Sequence, residues 1–338
     1  MTVRVAVLGT GVMGAHHAER LTGHVAGARV TVVADPFADK AARAAEAIPG
    51  CRAELDPFAA IAADDVDAVV VATPDPTHAE LVLACIAADK PVLCEKPLAD
   101  TVEAAARVVA ADEQARARTG RALVQVGFMR RFDPEYVAMR EVIATGSLGA
   151  PLLLHCVHRN ASVPPRFTTD LMITGSVVHE VDATRFLLDE EIAAVTVHRP
   201  TASRKAGAGE SDPLVVLFET ASGRLVDVEC FVSTGFGYEV RVEAVCEDGA
   251  VTLGLPGGLL RSAGIPGVQG RDIPPDYRGR FLAAYDLELR AWLDAIAAGR
   301  GVAGPGARDG LAAAVVCAAG LEALRTPGTR IAVPTIPA

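Results

Sequence analysis

The 338-residue chain lacks the features that mark membrane, secreted and nucleic-acid-binding proteins. Its longest apolar runs, such as residues 312–320, fall far below the ~18 residues that a membrane span needs. The formal net charge is −10, and no basic stripe interrupts it, which argues against a nucleic-acid partner. The first strand pattern begins at Val3 and leaves no room for a secretory signal. These absences predict a soluble cytoplasmic protein.

The chain also lacks a cysteine pairing pattern. Its seven cysteines are scattered, odd in number and without a C-x-x-C pair, so neither a disulfide framework nor a structural zinc site is indicated. We predict reduced, buried thiols and no bound metal. There is no internal repeat or low-complexity tract, and the length suggests two domains, for whose cores 51% hydrophobic residues are ample.

A glycine-rich turn near the amino terminus is the most informative feature that the chain does have. An apolar strand at residues 3–8 runs into Gly9, Gly11 and Gly14, and Asp35 ends the next apolar run about 20 residues later. Gly9 permits the tight turn, Gly11 lets the backbone approach a pyrophosphate, and Gly14 lets the next helix pack on the strand. The amides at the start of that helix face the phosphates. Together these residues predict a dinucleotide site.

Asp35 indicates which dinucleotide is bound. A carboxylate at this position accepts hydrogen bonds from the ribose hydroxyls but repels a 2′-phosphate. Pro36 and Phe37 follow it, so no adjacent Arg or Lys is available to receive that phosphate. The sequence therefore favours NAD over NADP.

The first third of the chain alternates strands with helices. Strand patterns fall at residues 3–8, 29–34, 68–72, 91–94 and 122–126. Helical patterns between them include residues 12–21, 77–88 and 101–117. Continuous apolar strands separated by helices predict a parallel, doubly wound sheet of the Rossmann type, covered on both faces. We place this NAD-binding α/β domain at residues 1–124.

Residues 125–338 are predicted to form an α+β domain for substrate binding and oligomerisation. Helices are expected at residues 133–145, 175–188, 280–298 and 308–324. Strands are expected at residues 152–158, 194–198, 214–220, 224–231, 238–246 and 250–255. Successive strands with short turns predict a large, mainly antiparallel open sheet, while residues 203–211 and 256–275 are predicted to be irregular connections. A free apolar sheet face is a liability, so we expect a homo-oligomer, either a dimer or a tetramer.

The motif TPDPTH, residues 73–78, stands at the end of a buried strand. Ligands of open α/β sheets bind outside the carboxyl ends of the strands, so Thr73 and Pro74 should border the cofactor. The alternative is a proline-rich start of the next helix, with Thr77 as its capping residue.

Two further motifs carry candidate catalytic groups. In CEKP, residues 94–97, Lys96 can hydrogen-bond a substrate hydroxyl and stabilise a developing alkoxide. The alternative is a solvated Glu–Lys pair at a strand exit. In GSVVHEVD, residues 175–182, His179 lies off the apolar helix face and suits proton transfer near neutral pH, although a lone helical histidine is more often structural.

These motifs together resemble the glucose-fructose oxidoreductase, inositol dehydrogenase and rhizopine catabolism family, and within it the bacterial inositol dehydrogenases. The resemblance runs from Val3 to about Ala323. Beyond the glycine turn it is carried by VGFMRRFD at 126–133, HCVHRN at 155–160, TTD at 168–170, VHE at 178–180 and RFLAAYD at 280–286.

The resemblance implies an NAD-dependent oxidation of a cyclitol hydroxyl, with myo-inositol converted to 2-keto-myo-inositol (scyllo-inosose) and hydride passed to nicotinamide C4. Lys96 and His179 are implied as the catalytic proton-transfer pair. Residues expected to contact the cofactor are Gly9, Thr10, Gly11, Val12, Met13, Gly14, Asp35, Thr73, Pro74, His78, Glu95 and Lys96. Residues expected to contact a polyol are Lys96, Met129, Arg130, His158, Asn160, Ser176, His179, Tyr238 and Tyr285.

Gly175 departs from the inositol dehydrogenase pattern that the residues around it follow. The inositol dehydrogenase pattern has an aspartate four residues before the catalytic histidine, where it would orient the imidazole and stabilise its protonated form. Gly175 leaves open a different substrate, a lower activity or a chain altered at this position, with Asp170 or Asp182 as substitutes. The alternative functions are oxidation of another cyclitol, an aminocyclitol or a pyranose sugar, a weakened NAD(H)-binding protein, and an enzyme that uses bound NAD transiently in elimination or isomerisation.

Overall fold

A computed structural model describes residues 2–254, 261–262, 269–270, 273–302 and 304–336, with only the backbone described at 261–262 and 269–270. The chain forms two compact units. The first comprises Met1–Phe132 and Ala283–Ala314, and the second comprises Asp133–Leu282 and Val315–Ala338. The domain boundary predicted between residues 124 and 125 stays a prediction, because each compact unit joins two separate stretches of the chain and so does not define a domain boundary in the sequence.

The first unit alternates strands and helices. Its strands are β1 (Val3–Leu8), β2 (Ala28–Ala34), β3 (Arg52–Glu54), β4 (Ala68–Val71), β5 (Val92–Cys94) and β6 (Val124–Val126). The helices between them are α1 (Val12–Gly23), α2 (Ala38–Glu46), α3 (Pro57–Ala62), α4 (His78–Ala87) and α5 (Val102–Thr119). Short 3₁₀ turns follow β4 at Asp75–Thr77 and β6 at Met129–Phe132.

The six strands form one parallel sheet in the order β3-β2-β1-β4-β5-β6. Its central strands are almost wholly apolar, and the β4 residues Ala68–Val71 are all buried, as expected for a sheet covered on both faces. The chain order reverses direction at β1, so the loops after β1 and β4 lie at the topological switch point, where such sheets bind ligands. Leu289, Trp292 and Leu293 of the later helix α9 (Tyr277–Ala297) complete this core.

The second unit contains the remaining elements, except that the last helix begins in the first unit and passes into the second after Ala314. Its first helices are α6 (Pro134–Thr145), the short α7 (Thr169–Leu171) and α8 (Val178–Leu188), with a π-helical segment at Met172–Val177 between the last two. Its strands are β7 (Pro151–Arg159), β8 (Ile192–His198), β9 (Leu214–Thr220), β10 (Leu225–Phe231), β11 (Glu239–Cys246), β12 (Ala250–Leu253), β13 (Arg261–Ser262), β14 (Gln269–Gly270) and β15 (Ile331–Ala332). Helix α10 (Ala307–Arg325) follows α9 near the end of the chain.

Seven of these strands form one sheet in the order β12-β11-β7-β10-β9-β8-β15. Only the β7–β10 pair in this order is parallel, and the other pairs are antiparallel. Each of β9, β10 and β11 alternates buried with partly exposed residues, so one face of the sheet packs in the core and the other remains open. The structure confirms the predicted fold class, a Rossmann sheet followed by a mainly antiparallel open sheet.

Several predicted details differ. The helix predicted over residues 175–188 is regular only from Val178, because Met172–Val177 adopts π-helical pairing. Strand β3 is too short and polar for its pattern to stand out. The irregular connection predicted over residues 256–275 lies largely outside the described residues, within which 261–262 and 269–270 pair as β13 and β14.

Candidate functional site

The glycine turn after β1 has the shape that the fingerprint predicts. Gly9 adopts a φ of +87°, and a Cβ there would lie 2.4 Å from the Ala72 carbonyl oxygen. A Cβ on Gly14 would lie 1.8 Å from the Gly9 oxygen, so the start of α1 needs glycine to approach the turn. At Gly11 a Cβ would meet nothing within 4 Å. The backbone at Gly11 therefore faces open space that suits a close-approaching pyrophosphate.

Asp35 at the end of β2 is held by the same turn. Its Oδ2 accepts hydrogen bonds from the Thr10 amide at 3.1 Å and the Thr10 hydroxyl at 2.7 Å. Its Oδ1 accepts from the Phe37 amide at 3.0 Å. Burial tends to raise the pKa of Asp35, but these hydrogen bonds and the nearby Lys40 charge hold it below its ordinary value. The carboxylate is therefore ionised and oriented, as ribose recognition requires.

Lys40 is a cation that the sequence pattern does not draw attention to. It stands five residues after Asp35, and the first turn of α2 brings its Nζ to 4.7 Å from the centre of the Phe37 ring. The Phe37 side chain is itself 63% exposed beside the turn. Lys40 thus tempers, without removing, the repulsion that Asp35 would exert on a 2′-phosphate.

His78 joins the loops that follow β4 and β5. Its ring is almost fully buried, with Nδ1 2.7 Å from the Pro97 carbonyl oxygen and Nε2 2.8 Å from the Thr73 carbonyl oxygen. The Thr77 hydroxyl donates to the Thr73 hydroxyl at 2.7 Å instead of capping α4. Thr77 therefore holds the N-cap position of α4, as the alternative expected, but its hydroxyl turns back into its own loop and makes no capping hydrogen bond.

Glu95 is buried just after β5, so the alternative of a solvated Glu–Lys pair is wrong. Its Oε1 lies 2.7 Å from His17 Nε2, and its Oε2 accepts a long hydrogen bond of 3.3 Å from the Lys96 amide. Burial tends to raise the pKa of Glu95, but the His17 hydrogen bond and the neighbouring positive charges hold it below its ordinary value. The Lys96 side chain is half-buried.

The first unit also holds three residues predicted to contact a polyol. Met129 and Arg130 lie in the 3₁₀ turn after β6, and each is 2% exposed. Tyr285 is 4% exposed, with its ring edge-on to His16 and His17 at centroid distances of 5.0 and 5.9 Å. The sequence pattern does not mark His17 as the partner of Glu95, since a second histidine on a helix resembles an ordinary polar residue.

The second unit holds five other predicted residues, three of which have their rings close together near the end of β7. The His158 ring lies 6.3 Å from that of His179 and 6.1 Å from that of Tyr238. Ser176 is 3% exposed in the π-helical segment just before α8. Asn160 follows β7, and its Oδ1 is buried with no hydrogen-bond partner within the described part of the chain. Such π-helical segments occur frequently at functional sites.

Glu180 orients His158, a role that the sequence pattern does not reveal. His158 Nδ1 lies 3.0 and 3.1 Å from the two carboxylate oxygens of Glu180, and both side chains are buried. A carboxylate oxygen accepts, so His158 Nδ1 donates to Glu180, and this contact fixes the orientation of the ring. Glu180 follows His179 directly, and the 100° turn between successive helical residues sends the two side chains in different directions.

Gly175 lies inside the π-helical segment, four residues before His179. A Cβ there would meet only the Phe167 ring, at 3.8 Å, which is ordinary van der Waals contact. Of the proposed substitutes for the missing aspartate, Asp170 is exposed with Arg325 3.9 Å away, whereas Asp182 is buried in α8. The Asp170 side chain is therefore exposed to solvent, and Asp182 is the better candidate for the carboxylate that supports His179.

The described residues show neither a metal-binding group nor a membrane-spanning helix. They contain no group of three or more His, Cys, Asp or Glu side chains arranged to hold a metal ion. Within the same described ranges, no helix combines the length and apolar character needed to cross a bilayer.

The chain matches two family models, and known relatives match it over nearly its whole length. Residues 3–125 match the oxidoreductase family with an NAD-binding Rossmann fold, and residues 136–252 match the GFO/IDH/MocA C-terminal domain. It is 52% identical to an inositol 2-dehydrogenase from Mycolicibacterium smegmatis, over 95% of this chain and 94% of that relative. It is 51% identical to an inositol 2-dehydrogenase from Rhodococcus erythropolis, over 98% and 95%.

A solved structure is similar over the whole fold. The myo-inositol dehydrogenase from Lactobacillus casei, in complex with NAD(H) and myo-inositol, has a TM-score of 0.94 and 31% sequence identity, covering 100% of this chain and 98% of that one. The glycine turn, the oriented Asp35 and the buried EKP turn described above lie in the part matched by the NAD-binding family model. The protein therefore belongs to the GFO/IDH/MocA family of oxidoreductases and is an enzyme with an NAD-binding Rossmann domain.

Proposed function

We propose that the protein is an NAD-dependent cyclitol dehydrogenase that oxidises myo-inositol to 2-keto-myo-inositol (scyllo-inosose). The observation that carries this proposal is the full-length similarity to enzymes named inositol 2-dehydrogenase, at about half of all positions. The side chains expected to meet a polyol agree with it, since a ring of hydroxyls needs many donors and acceptors.

Lys96 and His179 are the proposed proton-transfer pair. Lys96 donates a hydrogen bond to the hydroxyl being oxidised and stabilises negative charge on its oxygen. His179 accepts the hydroxyl proton, a task suited to an imidazole near neutral pH. When bound, NAD supplies the hydride acceptor, nicotinamide C4. The Glu180-bound His158 is proposed to orient another ring hydroxyl.

NAD is the proposed dinucleotide in preference to NADP. The support is the ionised Asp35, whose carboxylate is oriented by Thr10 and Phe37 and whose charge opposes a 2′-phosphate. The open backbone at Gly11 fits a pyrophosphate.

Gly175 favours one second candidate, an NAD(H)-binding protein with weakened catalysis. An imidazole without an orienting carboxylate is a poorer base; in the serine-protease triad, replacing that acid costs roughly 10⁴ in rate. A dehydrogenase acting on another cyclitol, an aminocyclitol or a pyranose sugar is the alternative if the site at Gly175 serves a different ring.

We also propose that the protein is a cytoplasmic homo-oligomer, assembled through the open face of the seven-stranded sheet. That face mixes apolar side chains, such as Leu217 and the 46% exposed Leu225, with ion pairs such as Arg159–Glu229. All seven cysteines are free thiols, which suits a reducing compartment. Light scattering at micromolar concentration tests the assembly, and a monomer mass would contradict it.

A substrate panel tests the proposed reaction. Purified protein is incubated with NAD and inositol isomers, an aminocyclitol or aldoses, and the absorbance of reduced nicotinamide is followed. We expect turnover of myo-inositol. Turnover of an aldose alone would identify a pyranose dehydrogenase, and tight NADH binding without any turnover would identify the weakened protein.

A further inference from the structure

His17 and Glu95 form a buried pair, and the proposed chemistry gives no role to the contact between them. The His17 side chain is fully buried, the Glu95 side chain is 9% exposed, and their nearest polar atoms are 2.7 Å apart. His17 belongs to α1, the helix that the glycine turn opens, whereas Glu95 stands between β5 and Lys96. The pair therefore connects the helix at the predicted phosphate site to the turn that carries Lys96.

We propose that His17 and Glu95 act as one positioning unit that sets the backbone at Lys96 and supports Tyr285. This inference rests on the proposed function, because Lys96 and Tyr285 are the groups that it serves. Glu95 divides its two oxygens between the His17 ring and the Lys96 amide. The His17 ring in turn packs edge-on against Tyr285 at 5.9 Å.

Burial of the pair is not explained by stability alone. Moving a carboxylate out of water is costly, and well-packed apolar residues in place of a buried ion pair are often as stable or more so. The nearby backbone is also shaped around Glu95, since a Cβ on Gly127 would lie 3.3 Å from the Glu95 carboxylate. A fixed carboxylate beside a proposed reactive amine is useful where small displacements are expensive, and an error of about 1 Å can cost 10²-fold in rate.

His16 provides a matched control on the same helix. It is 6% exposed, and its ring also packs edge-on against Tyr285, at 5.0 Å. Burial and the neighbouring His17 and Arg20 charges lower the pKa of His16, so His16→Leu removes no charge at neutral pH. The His16 side chain has no hydrogen bond to Glu95 within the described residues.

Steady-state kinetics of the full-length protein test the unit. His17→Leu and Glu95→Ala are each expected to lower kcat at least about tenfold, and in His17→Leu, which leaves every expected cofactor contact in place, KM for NAD should change less than about threefold. His17→Gln and Glu95→Gln keep a hydrogen-bonding group and should recover most of the loss. The double variant should lose no more than the worse single variant.

A second measurement does not depend on turnover. Reductive methylation of Lys96, followed by peptide mass spectrometry, reports the environment of its amine, with the exposed Lys205 as the internal reference. We expect the methylation rate of Lys96, divided by that of Lys205, to change at least about threefold in His17→Leu and Glu95→Ala, but not in His16→Leu.

The outcomes separate the two proposals. If the wild-type protein oxidises no cyclitol, the proposed function fails, and Lys96 methylation still decides whether the unit positions this residue. If His17→Leu does not fold, the comparison of Glu95→Ala with Glu95→Gln decides it. The inference is overturned if Glu95→Ala matches His16→Leu both in its kinetics and in its rate of Lys96 methylation. His17 and Glu95 would then serve only to pack the core.

Discussion

Gly175→Asp places a carboxylate where the inositol dehydrogenase pattern has one. The structure admits the side chain, because a Cβ at residue 175 meets only the Phe167 ring at 3.8 Å and Gly175 is not among the glycines with positive φ. Aspartate also has a slightly better helix propensity than glycine, by a few tenths of a kcal/mol. Loss of the fold is therefore not the expected result.

The size of the effect follows from the spacing to His179. Side chains four residues apart on a helical segment have Cβ atoms about 5–6 Å apart. With an effective dielectric of ~20, a carboxylate at that distance stabilises an imidazolium by about 3 kcal/mol. Gly175 is partly exposed, so solvent screening reduces this to roughly 1.5 kcal/mol, or about tenfold in rate if the imidazolium forms in the transition state.

Initial rates of NADH formation with myo-inositol measure this effect. We expect Gly175→Asp to raise kcat about tenfold, to leave the Kd for NADH unchanged, and to move the acid limb of the pH profile to higher pH, because a carboxylate favours the protonated ring. Gly175→Asn is the matched control, with nearly the same shape and no charge. Equal rates in the two folded variants, or a slower Gly175→Asp, would show that His179 already has an orienting group or is not the base.

Three other predictions follow from single side chains. The wild-type protein should prefer NAD over NADP by at least about tenfold in kcat/KM, and Asp35→Ser should bring the two values close together, because the charge that opposes the 2′-phosphate is gone. Glu180→Ala should raise KM for the cyclitol about tenfold by releasing His158, with the Kd for NADH unchanged as the control; an unaltered KM would exclude His158 from the substrate site. The pKa of Glu95 in the folded protein lies below its ordinary value of 4.5. The ionised carboxylate therefore contributes to the free energy of unfolding above pH 4.5, and this contribution is lost as the pH falls through the pKa of the folded state. Urea unfolding should therefore show the stability difference between wild type and Glu95→Gln narrowing below pH 4.5, and a constant difference would contradict this linkage.

Local patterns predict much of the first unit. A run such as β1 is apolar except for Arg4, and a glycine turn with a fixed spacing to Asp35 restricts the backbone strongly, so strand, turn and helix follow from short segments. Polar side chains buried by contacts distant in sequence are harder to predict. His17 and Glu95 are 78 residues apart, and only the fold, which brings α1 to the turn after β5, places them within hydrogen-bond distance.

The second unit shows the same division. Alternating burial in β9, β10 and β11 is visible as a period-2 pattern, and it predicts an open sheet with one buried face. Strand order is not visible, since β7 pairs in parallel with β10 and antiparallel with β11 through contacts that skip other strands. The π-helical segment before His179 has no marked sequence signal either.

The amino-acid sequence by itself determined the fold class, the dinucleotide turn and the family, because each depends on spacing within short segments or on similarity along the whole chain. Only the tertiary structure decided which polar groups are paired: Asp35 with Thr10, Glu95 with His17, and Glu180 with His158. A side chain's partner depends on which distant segment packs beside it, and burial then decides its charge, since a buried carboxylate stays ionised only where hydrogen bonds replace water.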